Sequence, residues 1–482
     1  MAYTNRSILI LLSLGLGESV LFAFALKGQI EYDAAIVFSI VGVVFALMFS
    51  DAVDSSGSRI HLNISRPGGL YGFLYCLFYG VGMLFFVNRI DAPKQHLVAI
   101  ALLVLIGYVG WWQGIRLVSF IWGRQSLRLP RFQPRESTAL YLLCWVGFVC
   151  VLIGYAWRMS LGQFYTHAGS FEAEAGVANS LYENVTFPFE FPTIILLALL
   201  STDKVVAKKA AYSLYFFASV FGLIHLLASE FRLIIGVVIF AVGGLQFSRG
   251  FIIRWKHLAI CGLLAMAALL LIQGGRLVVA SFAGSELSIE EAARVTFEGL
   301  FAGSSERSEV ASSTIERATD PLVFVSNLID QVESGAPYVG TDVMIEQLRS
   351  LMPRALWKDK PILVPPQIMI KRHFGLPLVD DSPGPLISYY AAAGAWGVFF
   401  GLLLFGVLIG WLTYRTASHP TVFNWMLLIW IWGAVAIVEY DQATYIMLGI
   451  RHCLVAYAFY KIIYMACRDQ RHKTPCAFPA VA

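Results

Sequence analysis

Long apolar runs separated by short polar connections dominate the pattern of residues along this chain. A helix needs about 20 consecutive apolar residues to cross the hydrocarbon core of a bilayer, and runs of that order recur throughout the sequence. The predicted spans lie near residues 7–26, 34–50, 69–88, 97–114, 137–157, 187–202, 211–228, 231–248, 257–279, 385–414, 421–438 and 443–465. The pattern therefore predicts an all-α polytopic membrane protein with about twelve transmembrane helices.

One connection in this pattern is much longer than the others and follows the ninth predicted helix. It extends from Ser281 to Gly384, and its second half mixes apolar residues, prolines and aromatic residues. Such a composition favours a partly folded cap of short helices and turns over disorder. The predicted domains are helices 1–9 over residues 1–280, the loop or cap over 281–384, helices 10–12 over 385–465 and a tail over 466–482.

Composition points to the same class of protein. Of the 482 residues, 58% are hydrophobic and 14% are charged, whereas a soluble domain has about 25% charged residues. The bilayer must therefore act as the solvent for most of the chain. The seven cysteines lack the paired spacing of a metal site, and we expect no metal, no cofactor and no nucleic-acid partner.

Basic residues orient the predicted helices. Connections on the cytoplasmic side of a membrane carry an excess of lysine and arginine. Alternate connections of this chain carry such residues, which are Arg124, Arg128, Arg131, Arg135, Lys204, Lys208, Lys209, Arg249, Arg254 and Lys256. The placement predicts that both termini are cytoplasmic. Because successive connections alternate between the two sides of the membrane, the long loop after the ninth helix is then on the outer face.

The tenth predicted helix contains a row of glycines, which bears on how closely it can pack against another helix. The row consists of Gly394, Gly397, Gly401, Gly406 and Gly410, at near-helical spacing. Small residues let two helices approach closely in lipid. We therefore expect this helix to pack tightly against a neighbour.

Four arginines lie near the outer membrane boundary in this topology and are candidates for an anion site. They are Arg232, Arg276, Arg354 and Arg451. A charge inside the bilayer is costly and needs a partner, and the planar guanidinium pairs bidentately with phosphate oxygens. Converging arginines would bind a lipid diphosphate without a metal. The alternative is that each one extends to the headgroups or pairs with a carboxylate such as Glu230, Glu439 or Asp441.

These features together resemble the bacterial O-antigen polymerase, or oligosaccharide repeat-unit polymerase, family over residues 185–465. The multi-span layout and the late outer loop are similar to those of the family. The loop has a segment with a tryptophan and a basic residue between prolines, and a serine–proline step then leads into a glycine-rich helix. The matching residues are 351–361, Ser382, Pro383, Arg232, Arg276 and Arg451.

The resemblance implies a multi-span, GT-C-like glycosyltransferase in the bacterial inner membrane with its active face in the periplasm. The donor would be a growing glycan on undecaprenyl diphosphate, and the acceptor would be a hydroxyl of an incoming lipid-linked repeat unit. The product would be a long polysaccharide, such as the O-antigen of lipopolysaccharide, a common antigen or an exopolysaccharide. A chain-length regulator and a flippase are the implied protein partners.

The chemistry of such a reaction assigns roles to polar residues of the outer face. A diphosphate leaving group needs charge stabilisation, which we assign to Arg232, Arg276, Arg354, Arg451, Lys358, Lys360 and His373. An attacking sugar hydroxyl is helped by a general base. The catalytic candidates are the acids that border the membrane, Asp381, Asp441 and Glu439. Other residues on this side stay open as bases: His167, Glu306, Glu309, Asp320 and Asp380.

Three other functions also stay open, one of which is a receptor or assembly scaffold. A related O-antigen ligase shares the architecture and delivers the glycan to the lipid A core. A secondary transporter or flippase of lipid-linked glycans would need discontinuous helices and midplane charges in both halves of the chain. The sequence offers only Glu18 deep in the first half, and it shows no convincing internal repeat.

Overall fold

The computed structural model of the chain describes residues 32–56, 59–62, 71–72, 74–88, 94–123, 132, 137–160, 187–227, 304–350, 357, 366–377, 384–436 and 442–473. The α-helices in chain order are α1 Tyr32–Ala52, α2 Val81–Asn88, α3 Leu97–Trp122, α4 Ser137–Ser160, α5 Phe187–Leu200, α6 Ala207–Leu227, α7 Ser304–Glu333, α8 Asp342–Ser350, α9 Pro366–Phe374, α10 Pro385–Ser418, α11 Val422–Ala436 and α12 Gln442–Lys473. A turn of π-helix over Cys76–Gly80 precedes α2, and a 3-10 turn over Lys94–His96 precedes α3.

Three of the described helices are long and apolar enough to cross a membrane. These stretches are Leu97–Trp122, Ser137–Trp157 and Pro385–Ser418. The chain is therefore a mostly helical membrane protein, as its hydrophobic pattern predicts. The total of about twelve spans stays a prediction, because three of the predicted spans lie outside the described residues: 7–26, 231–248 and 257–279.

A short β-hairpin follows α1 and departs from the all-α expectation. Its strands, β1 Val53–Ser56 and β2 Arg59–Leu62, pair antiparallel with Val53 opposite Leu62. Each strand has four residues, which is too few for an alternating pattern to stand out from a polar connection in the sequence. The connection between them begins with Gly57, and a glycine in a two-residue connection favours a tight hairpin.

Helices α3 and α10 pack with their backbones in direct contact. A Cβ atom on Gly406 would collide with the carbonyl oxygen of Trp111, and one on Gly114 would collide with the carbonyl oxygen of Leu403. Glycine allows two helix backbones to come this near in a bilayer. The tight packing predicted from the glycine row is confirmed at Gly406.

The first part of α10 folds back against the rest of the same helix. Ala393 (φ −158°, ψ 31°) and Gly394 (φ 63°, ψ −147°) leave the helical conformation, and glycine adopts a positive φ without steric cost. In a straight helix Tyr389 and Gly401 would stand about 18 Å apart, yet the Tyr389 ring fills the space where a Cβ of Gly401 would lie. The predicted span 385–414 is therefore a broken helix, and the residues before the break form a separate short segment.

Helix α5 is enclosed by other helices. Its residues from Phe189 to Leu200 are all buried, because α4, α6, α11 and α12 pack around it. With 14 residues it is about 21 Å long, which is less than the roughly 30 Å of a hydrocarbon core. The predicted span 187–202 is therefore a short internal helix whose described side chains are shielded from lipid.

Helices α7, α8 and α9 lie in the long connection, and we call these three helices the cap. α7 has 30 residues, so the cap contains a long helix where the sequence suggested only short ones. Its buried residues follow a helical spacing and face α2, α3 and α10. They include Leu322, Val325, Leu328 and Ile329. α8 packs against α12, and α9 packs against α10.

Side chains before α3 hold the end of α7. Nε2 of His96 donates a hydrogen bond to Oδ1 of Asp330 at 2.8 Å, and the Gln95 amide donates to the same oxygen. The carboxylate of the cap is thus shared by two donors of the bundle. The cap and the connection before α3 therefore lie on the same face of the protein.

The substitution Gly406→Ala tests the backbone contact between α3 and α10. The added methyl group meets the Trp111 carbonyl oxygen, and we expect overpacking to lower the free energy of unfolding by about 1–3 kcal/mol. Thermal unfolding of the detergent-solubilised protein, followed by tryptophan fluorescence, measures the change. The matched control is Gly222→Ala in α6, because nothing lies within 4 Å of a Cβ at that position. Its melting temperature should stay equal or rise; a similar result for Gly406→Ala would contradict the close contact.

Candidate functional site

The structure describes two of the residues assigned to the site, Arg451 and His373, and three of the residues left open as bases, Glu306, Glu309 and Asp320, which lie in α7. It places Arg451 in α12 of the bundle and His373 in α9 of the cap. The other predicted site residues lie outside the described residues: Arg232, Arg276, Arg354, Lys358, Lys360, Asp381, Glu439 and Asp441. The convergence of the arginines and the identity of a base therefore stay predictions.

Arg451 is half-buried in α12 and contacts the residue that follows it. Its Nη2 lies 3.1 Å from Nε2 of His452, and His452 is fully buried. A guanidinium has only donors, so the imidazole Nε2 must accept and the ring must be neutral, with its proton on Nδ1. The histidine thus orients the arginine without adding a second positive charge.

Trp430 joins the helices that pack beside His452. Its ring meets His452 of α12 edge-on, with centroids 5.2 Å apart, and meets Phe191 of α5 in the same way, also at 5.2 Å. Gly449 makes room for the indole, because a Cβ at that position would collide with the ring. Helices α5, α11 and α12 therefore meet at one tryptophan.

A buried carboxylate lies in α5, one residue before Phe191. Glu190 is fully buried in the first turn of α5 and accepts a hydrogen bond from the hydroxyl of Tyr155 in α4, at 3.1 Å. The positive end of the helix dipole favours an acid in the first turn, which offsets part of the cost of burial. Its sequence neighbour Phe191 contacts Trp430, whereas Glu190 itself is bonded to α4.

We call Phe191, Trp430, Arg451 and His452 the Trp430 cluster. It holds a permanent cation inside a mostly apolar bundle, where a charge interacts more strongly than in water. The arginine can bind an anion. The sequence analysis missed Glu190, although an acid within the apolar stretch 187–202 was a detectable signal. Within the described ranges, no group of three or more His, Cys, Asp or Glu side chains is arranged to hold a metal ion.

The second polar region is the segment 335–340, which links the cap helices α7 and α8 and which we call the strap. The N–H groups of Val339 and Gly340 donate to the carbonyl oxygens of Ala391 and Ala392, at 2.9 and 3.2 Å. These two carbonyls precede the break in α10, where the helix supplies no donor four residues later. The strap therefore completes the hydrogen bonding of the broken helix.

His373 belongs to this second region. Its Nε2 lies 2.8 Å from the carbonyl oxygen of Pro337 and donates to it. The side chain is exposed at the end of α9, so the histidine fixes the strap from the solvent side. Helix α8 joins the two regions, because it packs against both α10 and α12.

The substitution Tyr155→Phe tests the environment of Glu190. It removes a donor from a buried carboxylate, and we expect a loss of about 1–3 kcal/mol in the free energy of unfolding. Thermal unfolding in detergent measures the loss, with Tyr212→Phe as control because Tyr212 is 75% exposed on α6. The double variant Tyr155→Phe/Glu190→Gln should lose less than the sum of the two single variants. Strict additivity would show that the hydroxyl and the carboxylate do not interact.

Comparison with known proteins places the chain in a family through its central part. No curated protein and no solved structure matches it. One family matches residues 161–419, which is more than half of the chain. The matched part includes α5, the cap and the broken helix α10, and it ends before α11 and α12. The chain belongs to the family described as Domain of unknown function (DUF8712).

Proposed function

We propose that the protein is a membrane glycosyltransferase that polymerises lipid-diphosphate-linked oligosaccharide repeat units. The observation that carries the proposal is the position of Arg451, a permanent cation held in the bundle by a neutral histidine. It lies in the helix against which the cap helix α8 packs. A half-buried guanidinium with no charge added by its neighbour is suited to a multiply charged anion.

The reaction needs such a cation. The acceptor hydroxyl attacks the anomeric carbon of the donor, the bond from that carbon to the diphosphate oxygen breaks, and the diphosphate leaves with the electron pair. Arg451 would stabilise the negative charge that develops on the leaving oxygen. A base would take the proton of the hydroxyl; the predicted candidates for it are Asp381, Asp441 and Glu439.

The attachment of the cap supports an outer active face. In the predicted topology the connection between the third and fourth spans and the long loop both lie outside. The hydrogen bonds from Gln95 and His96 to Asp330 join these two parts of the chain. The lipid-linked donor and acceptor would then meet on the periplasmic face of the inner membrane, where the cap covers the bundle. Both termini would be cytoplasmic, and a chain-length regulator and a flippase would be partners.

A second candidate function is transport of a lipid-linked glycan, and two observations favour it. Discontinuous helices and buried charges are typical of secondary transporters. The break at Gly394 interrupts α10, and Glu190 is a buried acid in the first half of the chain. We place polymerisation first because α10 still has a long continuous segment after the break, and because a cap covers the bundle.

The polymerase proposal predicts a ladder of products from synthetic lipid-diphosphate repeat units. Purified protein in the presence of a chelator should make the ladder, and Arg451→Ala should slow it by about 10²–10³-fold, as expected for loss of a group that stabilises the leaving charge. Arg451→Lys should restore part of the rate, since it keeps the charge but not the planar fork. The matched control is Lys461→Ala, which removes an exposed cation of the same helix and should leave the ladder unchanged.

The same substrates and protein variants distinguish the polymerase from the transporter and the ligase. A wild-type protein that makes no ladder but moves the glycolipid across proteoliposomes would be a transporter, and the polymerase proposal would be wrong. Transfer only to added lipid A core would identify a ligase. If folded Arg451→Ala makes a normal ladder, the arginine does not stabilise the leaving diphosphate.

A further inference from the structure

An exposed carboxylate and two tyrosines lie where α7 and the strap meet the broken helix, outside the Trp430 cluster. Tyr338 of the strap is 43% exposed, and its ring meets that of Tyr390 edge-on, with centroids 6.3 Å apart. Glu333 is exposed at the end of α7, and the chain turns from that helix end into the strap through Gly335 and Ala336, whose N–H groups donate to the carbonyl oxygens of Val332 and Gln331. We call Glu333, Tyr338 and Tyr390 the tyrosine–carboxylate patch.

The backbone on both sides of Tyr338 is fixed. On one side the carbonyl of Pro337 accepts from His373, and on the other the N–H of Val339 donates to Ala391. Gly335 and Gly340 bound the segment with φ angles of 96° and 69°, which suit glycine. An exposed aromatic ring is thus held on a rigid frame, and such preorganisation favours binding.

Glu333 is placed where it does not help the helix that carries it. A carboxylate in the last turn faces the negative end of the helix dipole, which costs about 0.3–1 kcal/mol, and α7 has no basic residue in its last turn to offset it. The attachment of the cap is already provided by Asp330 and by the backbone bonds of the strap. Neither the stability of α7 nor the attachment of the cap therefore explains the position of Glu333.

The chemistry of the patch suits a sugar and not a phosphate. An ionised carboxylate is only an acceptor, whereas a tyrosine hydroxyl both donates and accepts. Sugar hydroxyls can supply the donors, and the flat apolar face of Tyr338 can cover the C–H face of a pyranose ring. The negative charge of Glu333 would repel a diphosphate.

We propose that the tyrosine–carboxylate patch binds a sugar residue of a glycan, with Glu333 accepting hydrogen bonds from its hydroxyls and Tyr338 packing on its face. This inference rests on the proposed function in one respect, which is that the sugar belongs to the incoming acceptor. The donor diphosphate would lie near Arg451, in the helix that α8 connects to the patch. Acceptor sugar and donor phosphate would then be recognised by separate groups of opposite charge.

Binding to an array of bacterial surface oligosaccharides without lipid or phosphate tests the patch directly. The full chain in nanodiscs should bind at least one glycan, and Glu333→Gln and Tyr338→Ala should each weaken that binding by about tenfold or more. Tyr338→Phe keeps the ring and should retain most of the binding. The controls are Asp342→Asn and Ile345→Ala, which change an exposed acid and an exposed apolar residue of the neighbouring α8 and should bind like wild type.

The outcomes separate this inference from the proposed function. Wild-type protein that binds no glycan, or folded Glu333→Gln and Tyr338→Ala that bind like wild type, would overturn the patch even if the polymerase ladder forms. Patch-dependent binding without a ladder would retain the sugar site and reject the polymerase. When both hold, Glu333→Gln should raise the KM for the acceptor in the ladder assay, whereas Arg451→Ala should lower kcat.

Discussion

A backbone carbonyl that loses its helical partner at a membrane must find another donor, and this requirement ties the cap to the bundle. The break at Gly394 removes the carbonyls of Ala391 and Ala392 from the helical ladder, and the N–H groups of Val339 and Gly340 take the place of the missing turn. The cap is therefore part of the hydrogen bonding of α10 and not an appended domain. The same bonds hold Tyr338 in place, so that one constraint on the backbone also shapes the surface beside it.

The two polar regions obey different electrostatic rules. Arg451 and Glu190 lie in a mostly apolar bundle, where a charge is expensive and each hydrogen bond matters. In the tyrosine–carboxylate patch, water screens the charge of Glu333, and shape contributes more than charge. The same type of charged side chain therefore acts more strongly in the bundle than at the patch.

The sequence predicted what depends on local pattern. Apolar length identified α3, α4 and α10, and the spacing of small residues predicted the close contact at Gly406. It did not predict what depends on distant partners. The positive φ of Gly394 has no signal in a regular glycine row, and the strap lies some 50 residues before the carbonyls it caps. Tyr155 is 35 residues from Glu190, so the spacing of residues in the sequence could not identify the partner of the buried acid. The proposed convergence of arginines likewise depends on residues that are far apart in the sequence.

The burial of α5 has a consequence for biosynthesis. Two of the helices that enclose it, α11 and α12, come last among the described elements, long after α5 has left the ribosome. Until they arrive, α5 and its acid lack half of their final surroundings. The bundle therefore closes late, after translation of the cap, and the contacts of widest sequence separation are formed at the end.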